Sequence, residues 1–441
     1  MPALYVLSTL FFVYQHTTGI SWDFAVYVLN AKYMFGGGFY FEWERAPLMP
    51  FILFLLSFGG YLLAEYLYII FVSGLFCLAC VSLAAKSGLD RDLFYALMLN
   101  PFVLNYGLMA GTELLTLSLL MLSMAFIGGR RSSVFLGLGV LARYTSLAYL
   151  PLMLFKRSLR EVLLGLALIA VLFAPWLWYN QAVKGHPLYS FVSSYFLNIT
   201  AKDSVFVEPV LARANTLLWV CVILLLLTLW LRCRRGFGEF GYMMLAFTVL
   251  SSFTYWGVTV KEIRYLFNLI LPAGYFTAYV LGKFTVKRDY ARKALCALIV
   301  LMSFTATPFF IALYLPPGFY DGVEAVRGDC MVTSNLWPHL NYLGVQTQPN
   351  PWQDEIRGSI GEGRRVLLYM SPKVAEPDYR FNRTFIETLP VIEENQNYIL
   401  LGDGGKCAPK ERVDKPYMEH YGRGGGNASL CLLEGFCIYG G

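Results

Sequence analysis

The chain has 441 residues, 57% of them apolar, with a mean hydropathy of +0.53. Charged residues are only 15%, where soluble domains carry about 25%; aromatics reach 17%, which excludes a disordered chain. The net charge of +6 is split: residues 1–316 hold 23 basic and 13 acidic residues, and residues 317–441 hold 12 and 16. That pattern predicts an α-helical polytopic membrane part over 1–316, followed by a small soluble, extracytoplasmic α/β domain over 317–441.

Apolar runs predict about eleven spans: 2–18, 61–85, 92–109, 113–129, 132–144, 145–156, 160–180, 214–232, 238–258, 265–283 and 293–316. Pro2–Tyr14 lacks a basic n-region and a cleavage site, so it reads as the first helix rather than a signal peptide. Pro47–Gly60 is too short to span and reads as a helix lying at the interface. Five short loops carry fifteen basic residues, among them Arg130, Arg131, Arg234 and Arg235, while the opposite, longer loops carry eight. The positive-inside rule then puts the N-terminus in the cytoplasm of a plasma-membrane protein and the tail outside the cell. Basic residues confined to short loops make no patch for nucleic acid.

Four cysteines (Cys330, Cys407, Cys431, Cys437) fall in the tail, where an oxidising exterior favours disulfides in one of three pairings. Cys77 and Cys80 have a redox spacing, but within an apolar run they read as packing residues. Three sequons, at Asn198, Asn382 and Asn427, fall on the same expected side. In the tail, Cys330–Ser334, Val366–Met370 and Tyr398–Leu401 read as strands, and 352–362 and 383–394 as helices.

Candidate chemistry collects in the loops opposite the basic ones. Asp23 precedes an amphipathic stretch, where it is also placed to be a helix N-cap. Glu42, Glu44 and Arg45 stand before Pro47, where an interfacial ion pair is the plainer reading. Glu113 opens a span as a first-turn acid, favourable with the helix dipole alone. Arg143 lies where two apolar runs meet. Lys261 and Arg264 precede another span.

These segments, in this order, resemble the GT-C superfamily of membrane glycosyltransferases. The nearest branch holds the protein O-mannosyltransferases (glycosyltransferase family 39) and the lipid A aminoarabinose transferase. The resemblance covers about 1–316. It rests on Asp23 in a long first loop, Arg45-Ala46-Pro47-Leu48, Thr112-Glu113, Arg143, Pro175-Trp176 with Asn180, Gly185 and Pro187, and Arg264-Tyr265-Leu266. The tail is similar to extracytoplasmic domains of archaeal members.

The resemblance implies a polyprenyl (dolichyl) phosphate-linked sugar donor, a glycan, lipid or protein hydroxyl acceptor, and a site at the outer membrane face. It implies Asp23 as the catalytic base, Glu113 as a second catalytic carboxylate that orients the acceptor, binds a metal or holds one of the arginines, and Arg45, Arg143, Arg264 and Lys261 as donor-phosphate ligands. A carboxylate accepts the acceptor's proton, and cations hold the leaving phosphate. The first loop holds Trp22-Asp23-Phe24 where the mannosyltransferases carry adjacent acids. In the aminoarabinose enzyme a Glu before the Pro-Pro-Leu segment and a loop His bind a metal. Glu44 matches that Glu, whereas His186 comes too early, so a divalent metal stays open. The rival reading is a transporter or lipid-linked sugar flippase, but no matched halves are visible and the charges lie at helix ends.

Overall fold

The computed structural model describes residues 1–156, 158–196, 238–257, 263–285, 289–307, 315–350, 355–370, 383–411, 430–433 and 436–438. The expected span 214–232, Lys261, the three sequon asparagines and part of the long loop lie outside the described residues. The described chain is mostly helical. Its helices are α1 (Pro2–Thr18), α2 (Trp22–Phe35), α3 (Leu48–Leu56), α4 (Tyr61–Ser87), α5 (Arg91–Met98), α6 (Pro101–Tyr106), α7 (Glu113–Ala125), α8 (Arg130–Ala142), α9 (Leu159–Lys184), α10 (Tyr189–Phe196), α11 (Glu239–Gly257), α12 (Ile270–Thr285) and α13 (Asp289–Ala306). Short helices and a sheet follow.

The bundle is organised by apolar residues that have no polar face to present. All thirteen residues of α7 are buried, so it is the central helix, packed against α4 and α8. The 27 residues of α4 are about 40 Å of helix. The apolar window of α9 is only 17% buried, leaving Leu163, Val171 and Trp178 exposed. Such a face is costly in water and suited to lipid. Among the described residues, Tyr61–Ser87, Leu159–Lys184 and Arg264–Gly282 are long and apolar enough to cross a membrane alone.

Several expected spans are interrupted where the sequence carries stop signals. The run 92–109 breaks after α5. Asn100 accepts hydrogen bonds from the Phe102 and Val103 amides, and Pro101 takes the first position of α6, a strong restart signal. The run 145–156 is a 3-10 helix over Tyr144–Phe155 with Pro151 inside, because proline removes an i→i−4 hydrogen bond. The helix expected over Pro47–Gly60 forms as α3, which continues into a 3-10 turn at Ser57–Gly59 and exposes Phe51, Phe54, Leu55 and Phe58.

The helix after Asp23 forms, but it is not capped by Asp23. Ser21 is the N-cap and its Oγ accepts from the Phe24 amide at 3.2 Å. Nor is α2 half-exposed. Phe24 to Ala31 are all buried, because α3, α4 and the helix Trp337–Tyr342 cover it.

The C-terminal part is a five-stranded mixed sheet: β1 (Val332–Ser334), β2 (Thr347–Pro349), β3 (Arg365–Tyr369), β4 (Val391–Glu394) and β5 (Tyr398–Leu401), in the order β2-β1-β3-β5-β4. The strands β2, β1 and β3 run parallel, and β5 is antiparallel to β3 and β4. The expected helix over 383–394 stops after Arg383–Ile386. Pro390 disfavours helix at the residue before it, and Val391-Ile392 prefer an extended backbone. The expected helix over 352–362 is Ile356–Gly361, its first residues lying outside the described ones. Cys330 and Cys407 form a disulfide, and an antiparallel hairpin sets Cys431 opposite Cys437. Cys77 and Cys80 are free, Cys80 fully buried in the core of α4.

The sheet unit docks on α2 through the helix Trp337–Tyr342. The Trp22 and Trp337 rings meet edge-on at 4.5 Å. Tyr342 donates to Glu65, which also pairs with His16 at 2.9 Å. His339 donates from Nε2 to the Ile20 carbonyl at 3.0 Å, while its buried Nδ1 has no hydrogen-bond partner. Burial pushes the His339 pKa from 6.5 down to about 4. It is neutral in the folded state at pH 7. Stability from this docking is therefore full above about pH 6.5 and falls as the pH drops through 4, because the unfolded chain takes up the proton first. The linkage is worth about 3 kcal/mol. The thermal midpoint of the full chain is expected to fall between pH 7 and pH 4.5, and to fall less in His339→Gln; parallel profiles for the two proteins would contradict this.

Candidate functional site

At the end of the bundle covered by the sheet unit, five elements deliver charges to one place. The first turn of α2 brings Asp23. The loop before α3 brings Glu42, Glu44 and Arg45. The start of α7 brings Glu113. Arg143 ends α8 in an extended conformation, and Arg264 lies in the 3-10 helix Ile263–Leu269.

Asp23 is shared by two arginines. Arg45 Nη1 reaches Asp23 Oδ1 at 2.7 Å, and Arg264 Nη1 bonds Asp23 Oδ2. Arg45 also donates from Nε to Glu42 Oε2 at 3.1 Å. Arg143 pairs with Glu113 at 2.7 Å. The rings beneath them are tyrosines: Tyr27 under Arg45, and Tyr265 under both Arg143 and Arg264, 5.7 and 5.5 Å from its centre. Cation–π contacts of this kind add about 0.5–2 kcal/mol each.

Burial divides the two signs. The Glu42 and Glu113 side chains are 0% and 2% exposed, while Arg45, Arg264 and Arg143 retain 19%, 15% and 22%. Glu42 and Glu113 thus lie deeper than the arginines, while Asp23, at 13%, is about as exposed as Arg264. Two guanidinium groups on one ring are an arrangement that could take an anion with several oxygens.

Two acids keep unused capacity. Glu113 Oε2 is buried without a hydrogen-bond partner, and so are both carboxyl oxygens of Glu44. Burial first, and the neighbouring Glu42 charge second, hold the Glu44 carboxyl well above the usual carboxylate range. Among the described residues no three His, Cys, Asp or Glu side chains come together as a metal-holding group. His186 instead accepts from the Leu188 amide within its own turn. Glu42 has one oxygen bonded by Tyr40 and the other by Arg45, so of Glu42 and Glu44 only Glu44 keeps oxygens without a hydrogen-bond partner.

The sequence-expected residues Asp23, Arg45, Glu113, Arg143 and Arg264 thus converge, with Glu44 beside them; Lys261 lies outside the described residues. Glu42, Tyr27 and Tyr265 were not assigned roles from the sequence. The i,i+3 spacing of Glu42 and Arg45 was the signal for the first. Nothing local marked Tyr27.

No protein-family model matches this sequence, and no curated protein matches it. Solved structures do share its fold. The structure of ArnT from Cupriavidus metallidurans bound to undecaprenyl phosphate aligns with a TM-score of 0.61 over 92% of this chain and 99% of that one, at 12% identity. The apo state of the same protein aligns with a TM-score of 0.53, over 90% and 97%, at 13% identity. The chain shares the fold of that ArnT structure along nearly its whole length.

The Glu113–Arg143 pair separates fold from function. Glu113→Ala is expected to destabilise the chain by roughly 1–3 kcal/mol by leaving Arg143 uncompensated, and Glu113→Leu with Arg143→Met to recover most of that loss. Thermal unfolding of single and double variants checks this; a double variant no more stable than the single one would show that the pair does more than neutralise charge.

Proposed function

We propose that this chain is a GT-C glycosyltransferase that moves a sugar from a polyprenyl phosphate to a hydroxyl acceptor, a glycan, lipid or protein. The observation that carries the reading is Asp23 held between Arg45 and Arg264 at a partly open site. The match to a fold seen with undecaprenyl phosphate in ArnT supports the donor class. The domains are 1–316, catalytic, and 317–441, extracytoplasmic, with the chain multi-pass in the plasma membrane and the site at its outer face. The order of the motifs points to the mannosyltransferase and aminoarabinose transferase branch.

The chemistry follows from what each group can do. The acceptor oxygen attacks the anomeric carbon, its proton passes to Asp23, and the bond to the lipid phosphate breaks. Charge grows on the departing phosphate, where Arg143, Arg264 and Lys261 receive it. At rest Asp23 is covered by two cations, which weakens it as a base. The donor phosphate competes for the same cations. Its arrival draws Arg264 and Arg45 toward it and uncovers the carboxylate, so base and donor appear together. Glu113 anchors Arg143 through Oε1 and offers Oε2 to the acceptor hydroxyl.

Asp23→Asn removes both the base and the competitor for the arginines. Turnover is expected to fall by roughly 10²–10⁴, measured as polyprenyl phosphate released from a labelled polyprenyl-phosphate sugar. Affinity for undecaprenyl phosphate is expected to hold or tighten. Turnover within a few-fold of wild type would remove the assignment, and weaker donor binding would remove the competition. Arg264→Lys keeps the charge, loses the planar fork, and is expected to weaken donor binding.

Orientation is tested separately. On intact cells a membrane-impermeant thiol reagent is expected to reach Cys330 and Cys407 only after reduction, since the pair is bridged. Labelling that needs permeabilised cells would invert the topology and end the outer-face mechanism.

A further inference from the structure

A continuous hydrogen-bonded chain runs from the sheet unit to Asp23. Trp337 donates from Nε1 to the Tyr40 oxygen at 2.5 Å. Tyr40 donates its hydroxyl to Glu42 Oε1 at 2.7 Å. Glu42 Oε2 accepts from Arg45 Nε, and Arg45 Nη1 reaches Asp23. Trp337, Tyr40 and Glu42 are 0%, 2% and 0% exposed, so water does not compete for these groups. Glu42 is also fixed in the backbone: Asn30 of α2 donates to its carbonyl at 2.8 Å and accepts from its amide at 2.9 Å. The carboxylate therefore has little freedom to turn away from Arg45.

The arrangement is more than a docking contact, because Arg45 is divided between two carboxylates. The more strongly Glu42 holds it, the less of its charge reaches Asp23. Glu42 holds it less strongly when its other oxygen is occupied by a good donor. Tyr40 is that donor, and the Trp337 N–H polarises the Tyr40 hydroxyl to make it a better one. We propose that Glu42, Tyr40 and Trp337 are positioning residues that set how much of the Arg45 charge falls on Asp23, and so tie the base to the seating of the sheet unit. The role of Asp23 as base rests on the proposed function; the electrostatic coupling does not.

The charged and titratable groups facing this pair, among the described residues, are Arg264 on Asp23; Glu42, Glu44 and Tyr27 on Arg45; and the Arg143–Glu113 pair next to them. The three substitutions leave all of these except Glu42 in place, and their signs differ. Glu42→Gln releases Arg45 wholly to Asp23, so Asp23 keeps its charge to lower pH. Tyr40→Phe makes Glu42 cling to Arg45, so Asp23 takes a proton at higher pH. Trp337→Phe acts in the same direction as Tyr40→Phe and more weakly.

The measurement is carbodiimide labelling of Asp23, which modifies the protonated carboxyl, followed by peptide mass spectrometry across pH on the full chain in detergent. The midpoint is expected to move down by about one unit in Glu42→Gln and up by about half a unit in Tyr40→Phe, less than a direct neighbour's 1–3 units because the effect passes through Arg45. Trp337→Phe is expected to move it up by less. Coincident midpoints, or three shifts in one direction, would overturn the coupling and leave a structural prop, a role that lowers the thermal midpoint without reversing sign. If Trp337→Phe does not fold, the opposed signs of the other two variants still decide. Release of polyprenyl phosphate is assayed in the same preparations. A wild type that releases none removes the functional reading, while the labelling midpoints still test the chain.

Discussion

The charge balance around Asp23 is the constraint that the rest of this molecule serves. A carboxylate with 13% of its side chain exposed in an apolar bundle needs compensating cations, or it takes up a proton. Its two partners stand 22 and 241 positions away in sequence, so the bundle must close before either is present. Arg45 in turn needs Glu42, and Arg143 needs Glu113. Six charges of two signs are made mutually tolerable at one end of a chain otherwise built from leucine, phenylalanine and alanine.

The surrounding fold is arranged to make that cluster rigid. The central helix α7 begins at Glu113, so the most buried helix of the bundle fixes the acid that anchors Arg143. The α2 helix is trapped between α3, α4 and the helix Trp337–Tyr342, and it carries both Asp23 and Asn30, the clamp on Glu42. Tyrosines under the guanidinium groups restrict them without neutralising them. Such preorganisation favours a reaction in which negative charge moves from an attacking oxygen to a departing phosphate, because no dipoles need to turn as it moves.

The sheet unit adds a second constraint. It contacts the bundle by the Trp22–Trp337 edge contact, the His339 bond to Ile20 and the Tyr342 bond to Glu65. The first two fall at the entry of α2 and the third on α4 beside it, so the helix that carries Asp23 is held at its start and along its flank.

Several of these features were legible in the linear chain. Apolar runs with charges only at their ends pointed to a bundle of long apolar helices, because a polar residue within a membrane span has no water to meet. The Asn100-Pro101 pair spelled out a helix restart that the apolar reading overran. Asp23, Arg45, Glu113, Arg143 and Arg264 were legible as a set because each stands at the end of an apolar run on one expected side of the membrane. Tertiary structure alone decided who pairs with whom. The cap of α2 passed to Ser21, because the Asp23 carboxylate points to two arginines that no local spacing reveals. The strand at Val391–Glu394 replaced a helix, because β5 offers it an edge to pair with. Glu42, Tyr40 and Trp337 carry no mark in the sequence as a group, since a hydrogen bond across 297 residues is written only in the packed chain. Local chemistry fixes where a charge can stand along a helix; the closing of the core fixes which opposite charge it meets.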